Sequence, residues 1–239
     1  MPKPQPKGEE TKNVSSASAP PSRWLIVELE EAVDQQRAEL CREMASRLKD
    51  TDVSKIEEIL IRYGLCAAPM QAARAIASAL GLRAAVQESL LKAMQKWLEE
   101  RYLDEHTALR PAYAAAIEAC RESGRGVAFL SSAPETAAQG LFRRFAPETM
   151  VGRLHVLPLG EGLFPSIEQW QMAAQATGAM TSNCTALVAV RSSFKSALAA
   201  DLRCVAVPDR FTQAQDFSGA DAVFESDTTP SKRDFLEVL

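Results

Sequence analysis

Apolar residues follow two rhythms along this chain. At Trp24-Leu25-Ile26-Val27 four stand in a row and give way to Glu28, Glu30 and Glu31. An unbroken apolar run with β-branched members predicts a strand covered on both faces. If that strand continues through the acids, Glu28 and Glu30 lie two apart and point to the same side. From Glu31 to about residue 105 the apolar positions take helical spacing instead. Val33, Leu40, Met44 and Leu48 predict one helix over about 31–48. Ile56, Ile59, Leu60 and Tyr63 predict a second, opened by Asp52 or Ser54 and stopped at Gly64. Pro69 opens a third, ending near Gly81, and Val86, Leu90, Leu91, Met94, Trp97 and Leu98 mark a fourth through Tyr102.

From Leu109 onward, helix and strand alternate. Pro111 begins a helix through Cys120, closed by Gly124 and Gly126, and Val127 to Leu130 reads as a short buried strand. Ser132-Ala133-Pro134-Glu135 has the form of a capping box that opens a helix to Phe145. Strands are expected at 154–157, 186–190, 203–207 and 221–225, with helices over 165–177 and 192–200. Strands separated by helices of this length imply crossover connections and a mainly parallel sheet. The expected architecture is therefore α/β: a three-layer Rossmann-like core over 24–34 and 106–239, with an α-helical insertion over 35–105 and a tail over 1–23.

Composition narrows the function classes. A net charge of −4 over 239 residues gives no indication of direct nucleic-acid binding. No apolar run approaches the ~20 residues of a membrane span. Cys41, Cys66, Cys120, Cys184 and Cys204 are scattered without a C-x-x-C pair, which argues against a zinc site or a disulfide framework. Reduced, buried thiols suit an intracellular protein, cytoplasmic or organellar, with the mitochondrion among the candidate compartments. Residues 1–22 are rich in Pro, Ser, Lys and Glu and cannot bury enough surface to fold alone. They lack the apolar core of a secretory signal, and Glu9 and Glu10 make them a poor transit peptide. Such a tail becomes ordered by lying on another surface, so other protein subunits of a larger complex are the expected partners, with 1–23 in contact.

Smaller signals add little. His106 and His155 are the only histidines, and no G-x-S-x-G supports a hydrolytic triad built from them. Gly160-Glu161-Gly162 lacks the third glycine of a dinucleotide fingerprint. Arg121, Arg125, Arg143 and Arg144 read as solvated helix faces.

Several phrases in order resemble the haloacid dehalogenase-like superfamily, in its phosphoglucomutase-like branch with a helical cap. Leu109-Arg110-Pro111 with Val127 through Pro134 resembles the family's second motif, and Phe164-Pro165-Ser166 through Gly178 its third. Ala199 through Pro208 resembles the fifth strand, and Asp216 through Val223 the family's ending. The resemblance implies an Asp nucleophile, a second Asp two residues later as general acid/base, a phosphate-binding hydroxyl, a Lys, and acids for Mg²⁺. Glu28 stands at the nucleophile position and Glu30 at the acid/base position, each a methylene longer, and misplacement by ~1 Å can cost about 10²-fold. Ser131 fits the hydroxyl, Phe164 replaces the Lys, and the metal acids fall at Val188 to Val190. No Lys or Arg occurs between Arg153 and Arg191, and no Asp or Glu between Glu168 and Asp201.

These degenerate positions imply that no catalytic residue, cofactor or metal remains. The expected function is that of a structural or interaction subunit. The alternatives are a Mg²⁺-dependent phosphatase or phosphomutase using Glu28 and Glu30, and a non-catalytic module that binds a phosphorylated metabolite between cap and core.

Overall fold

The structure, a computed structural model, describes residues 21–49, 51–62, 68–146, 152–157, 162, 164–225 and 229–239. The first apolar run is strand β1 (Trp24–Glu28). It is joined by β2 (Gly126–Ser131), β3 (Gly152–Val156), β4 (Cys184–Val188), β5 (Arg203–Ala206) and β6 (Ala222–Val223) in one sheet of order β3-β2-β1-β4-β5-β6. Every pairing is parallel, so the mainly parallel sheet expected from sequence is wholly parallel. In register, Glu28 stands beside Leu130 of β2, and Val27 beside Leu187 of β4.

Alternation along β1 divides the core. Leu25, Val27 and Leu29 face a layer formed by α5 (Pro111–Glu122), α6 (Glu135–Phe145) and α9 (Lys232–Val238). Trp24 and Ile26 face α7 (Ile167–Thr177) and α8 (Arg191–Ala199) through Trp170 and Phe194. A period of two along a strand makes this division inevitable once both faces are covered. At the base of β1, Trp24 leaves no room beside it: a Cβ on Gly126 would lie 2.5 Å from its ring.

Between β1 and α5 the chain forms α1 (Gln36–Arg47), α2 (Val53–Arg62), α3 (Pro69–Ala79) and α4 (Ala84–Leu103). These pack around Leu40, Met44, Ile56, Ile76 and Met94, and Phe211, from the loop after β5, joins them. Leu98 and Tyr102, at the end of α4, belong instead to the core beside the sheet, so α4 ties the helical layer to it. Among the described residues no helix is long and apolar enough to cross a membrane. Burial pushes the Cys41, Cys120 and Cys204 thiols up to about 12, which leaves them unreactive at neutral pH.

Several local expectations need correction. The first helix starts at Gln36 rather than Glu31, because residues 31–34 turn and Val33 bridges Leu109, after which Gln35 adopts φ 53°. Ser132 does not cap α6; Pro134 occupies the N-cap, and the Ser132 hydroxyl turns toward Glu30. Reciprocal capping boxes occur instead at Ser166/Gln169 and Ser231/Asp234. Gly124, at φ +67°, ends α5, whereas Gly126 already belongs to β2. Strand β4 begins and ends two residues earlier than expected, and α9 had no expected counterpart. The tail over 1–20, Tyr63, Gly64, Cys66, Gly160 and Glu161 lie outside the described residues.

Candidate functional site

Strand β1 stops at Glu28, and this changes what the acids do. Leu29 N–H still donates to the Leu130 carbonyl (2.7 Å), but Glu31 N–H and Ala32 N–H fold back onto the Glu28 carbonyl, each at 3.2 Å. Glu28 and Glu30 therefore are not neighbours along one strand face, as sequence spacing predicted, but occupy separate environments.

Glu28 shares strand parity with Trp24 and Ile26, on the side of α7 and α8. It is 1% exposed, and neither carboxyl oxygen has a hydrogen-bond partner among the described residues. The Ser193 hydroxyl on α8 approaches without reaching hydrogen-bond geometry. Burial, and then the charge of Glu31, hold the Glu28 carboxyl well above the usual carboxylate range. Desolvation disfavours the ionised form when nothing replaces the lost water.

Glu30 is equally buried but well supplied with donors on one oxygen. Its Oε1 accepts from Ser131 Oγ (2.9 Å), Ser132 N–H (2.7 Å), Ser132 Oγ (3.0 Å) and Ala133 N–H (2.9 Å). Its Oε2 is buried and accepts none among the described residues, and Glu30 as a residue borders the cleft described below. Burial raises this carboxyl, and the converging donors pull it back only in part. The loop after β2 thus forms a cradle for an oxyanion, and the chain's own carboxylate fills it.

Glu31 belongs to a third environment that sequence reasoning missed. Arg37 of α1 bridges Glu31 and Asp209, reaching the latter at 2.5 Å, and Arg110 donates to the Val207 carbonyl close by. Burial works against the Arg37 charge, but the two acids outweigh it and raise its pKa. One guanidinium shared by two carboxylates leaves them unequal. Burial lifts Glu31, while Arg37 and Arg110 overcome burial at the less enclosed Asp209 and lower it. No sequence signal pointed to this cluster, because Arg37 and Asp209 are 172 residues apart.

The other candidates disperse. Phe164 is buried in the apolar cluster of Ile26, Leu130 and Val188, and Val188, Ala189 and Val190 are fully buried. His106 sits on a turn, its side chain 85% exposed and 3.8 Å from Glu105. His155 lies on β3, where burial and then Arg153 lower its imidazole pKa. Arg121 pairs with Glu118, whereas Arg144 donates to the Tyr102, Leu103 and Thr107 carbonyls, so these arginines do not act as one patch.

Between the helical layer and the sheet lies a cleft of about 500 Å³. Met70 of α3 and Leu98 and Tyr102 of α4 wall one side; Glu30, Ala133 and Val156 lie opposite. The Tyr102 hydroxyl is buried without a partner among the described residues. Burial, with the Glu30 charge second, holds its pKa well above the ordinary value. Tyr102, at the end of α4, thus belongs both to the core beside the sheet and to the wall of the cleft.

No family model matches the sequence, and no curated protein does. The fold is matched by solved structures. CbbY from Rhodobacter sphaeroides in complex with phosphate aligns over 90% of this chain and 96% of its own, at 17% identity and TM-score 0.66. A HAD hydrolase of family IA, variant 3, from Entamoeba histolytica aligns over 91% and 98%, at 13% identity and TM-score 0.63. A β-phosphoglucomutase from Clostridium difficile aligns over 91% and 98%, at 13% identity and TM-score 0.61. The fold is that of the haloacid dehalogenase-like hydrolases, as the sequence motifs led one to expect, and at these identities the likeness concerns the fold alone.

Proposed function

We propose that this chain is a catalytically silent protein of haloacid dehalogenase-like fold, retained as a binding or structural subunit of a larger protein assembly. One observation carries the silent reading. The Ser131 hydroxyl, which the motif resemblance assigns to a phosphoryl group, converges on Glu30 Oε1 together with the backbone N–H groups of Ser132 and Ala133. An entering phosphate would have to displace a buried carboxylate from four donors, and then sit beside it. The other positions support the same reading. Glu28 is enclosed and driven toward its protonated form, which makes a poor nucleophile. Phe164 offers no charge to balance a transferring phosphoryl group.

The residues present do not fit Mg²⁺. That ion requires near-octahedral oxygen ligation, whereas Val188, Ala189 and Val190 are apolar and Glu30 Oε1 is saturated by protein donors. No group of three or more His, Cys, Asp or Glu among the described residues is arranged to hold a metal ion. The subunit role rests on the polar tail read from sequence and on a fold kept while its reactive positions have changed. The expected partners are other protein chains.

The test has two arms. Phosphate esters incubated with Mg²⁺ should give no turnover, for wild type and Glu28→Gln alike. Turnover in wild type that the mutant loses would establish the phosphatase reading instead. Native mass measurement of the protein drawn from its source cells should find it in a larger particle, and a free 26 kDa chain throughout would refute the subunit role.

A further inference from the structure

We propose that residues 209–211, in the loop after β5, act as a clasp that fixes the helical layer to the sheet, so that the two open as one body and not as a lid on a hinge. The contacts that carry this lie apart from Glu28 and Glu30, and the proposal does not depend on the non-catalytic reading.

The order of elements by itself would allow a lid. Two stretches join the helical layer to the sheet, residues 29–35 after β1 and 104–110 before α5. A few loop residues between packed bodies are where hinges form. Here the two stretches are paired: Val33 bridges Leu109, Asp34 N–H donates to the Ala108 carbonyl (2.9 Å), and Arg110 N–H donates to the Ala32 carbonyl (2.8 Å). Turning about them would carry Arg37, on α1, away from Glu31 and Asp209, which both stay with the sheet.

The clasp takes hold of the helical layer at three points. Asp209 Oδ2 accepts from Arg37 at 2.5 Å, and Arg210 pairs with Glu57 of α2 at 2.5 Å. Phe211, 5% exposed, joins the cluster of Leu40, Met44 and Ile56. The exposed Arg210 pair adds little; the buried ring and the buried guanidinium supply the hold. One carboxylate both anchors the clasp and shapes it. Asp209 Oδ1 accepts from Phe211 N–H (2.9 Å) and Thr212 Oγ1 (3.2 Å), and Asp209 N–H donates to Thr212 Oγ1 (2.9 Å). The start of the loop is braced by Arg110, which donates to the Val207 and Pro208 carbonyls at 3.0 and 3.3 Å. Swinging the layer outward would break a buried ion pair and withdraw an aromatic ring from its core together. With the clasp broken, α4 keeps its tie to the sheet through Leu98 and Tyr102, so release shows in α1 and α2.

Hydrogen exchange read by mass spectrometry on the full chain tests this, with α1 and α2 compared to β1 and β4 in the same molecule. In the wild type the two sets should exchange within about threefold of each other after correction for intrinsic rates, because one opening exposes both. Phe211→Ala should speed α1 and α2 on the order of 10²-fold relative to the strands. Asp209→Asn keeps an oxygen for Phe211 N–H but removes the charge facing Arg37, and should speed them about tenfold. Ile76→Ala opens a cavity in the same cluster without touching the clasp, and should speed helices and strands alike. Helices that exchange far ahead of the strands in the wild type would overturn the proposal. So would a clasp variant that leaves the ratio at its wild-type value, or an Ile76→Ala chain in which the helices alone speed up. If Phe211→Ala does not fold, Asp209→Asn decides the matter.

Discussion

Replacing Glu28 with methionine should make this protein more stable, and increasingly so as the pH rises. The substitution keeps a straight side chain of similar volume and removes a carboxyl that, at 1% exposure, has no hydrogen-bond partner among the described residues. Leaving such a group unsatisfied costs on the order of 1–3 kcal/mol. For a chain of this size each kcal/mol moves the midpoint by about 2–4 °C, so Glu28→Met should melt about 2–12 °C higher. The pH dependence follows from the direction of the shift. The folded carboxyl sits well above its ordinary value of 4.5, so the folded state holds its proton more tightly than the unfolded chain. The stability this proton contributes is fully present below about 4.5 and is lost as pH climbs through the raised folded value. The advantage of Glu28→Met should therefore be smallest near pH 5 and grow toward pH 8.5, while Glu28→Gln removes the pH-dependent part and keeps the shape. Circular-dichroism melts at a series of pH values measure it. A variant less stable than wild type throughout, or a difference that does not widen with pH, would mean that Glu28 is paired or ionised and would refute the reasoning.

Other outcomes follow from the remaining environments. Arg37→Met should cost about 3–5 kcal/mol in urea unfolding, because it strands Glu31 in the core, and adding Glu31→Gln should restore part of the loss. Glu30→Gly empties the cradle of Ser131, Ser132 and Ala133, so millimolar inorganic phosphate should raise the melting temperature of that variant and not of the wild type. Ser131→Ala removes one of four donors to Glu30 and should cost about 1 kcal/mol in the same unfolding assay. Gly126→Ala should cost about 1–3 kcal/mol, since the new methyl meets the Trp24 ring, and Trp24→Leu in the same chain should recover some of it.

The run Trp24 to Val27, the helical spacing from Glu31 to about residue 105 and the alternation after Leu109 were legible in the sequence because each is a local period. A strand covered on both faces needs consecutive apolar residues, and an amphipathic helix needs a 3.6-residue stripe. The same locality made Phe164 and Val188 to Val190 readable as apolar residues at positions where the motif resemblance calls for charge. What the acids after β1 do was not local. The strand ends one residue into them, and partners from α1, the loop after β2 and the loop after β5 then divide them. Ser131 to Ala133 take Glu30, Arg37 with Asp209 takes Glu31, and Glu28 is left enclosed with no partner among the described residues. A carboxylate's protonation depends on its burial and on charges brought to it through space. The chain supplied three glutamates in four positions, and tertiary contacts spanning up to 172 residues decided which one fills the cradle, which forms an ion pair and which holds its proton.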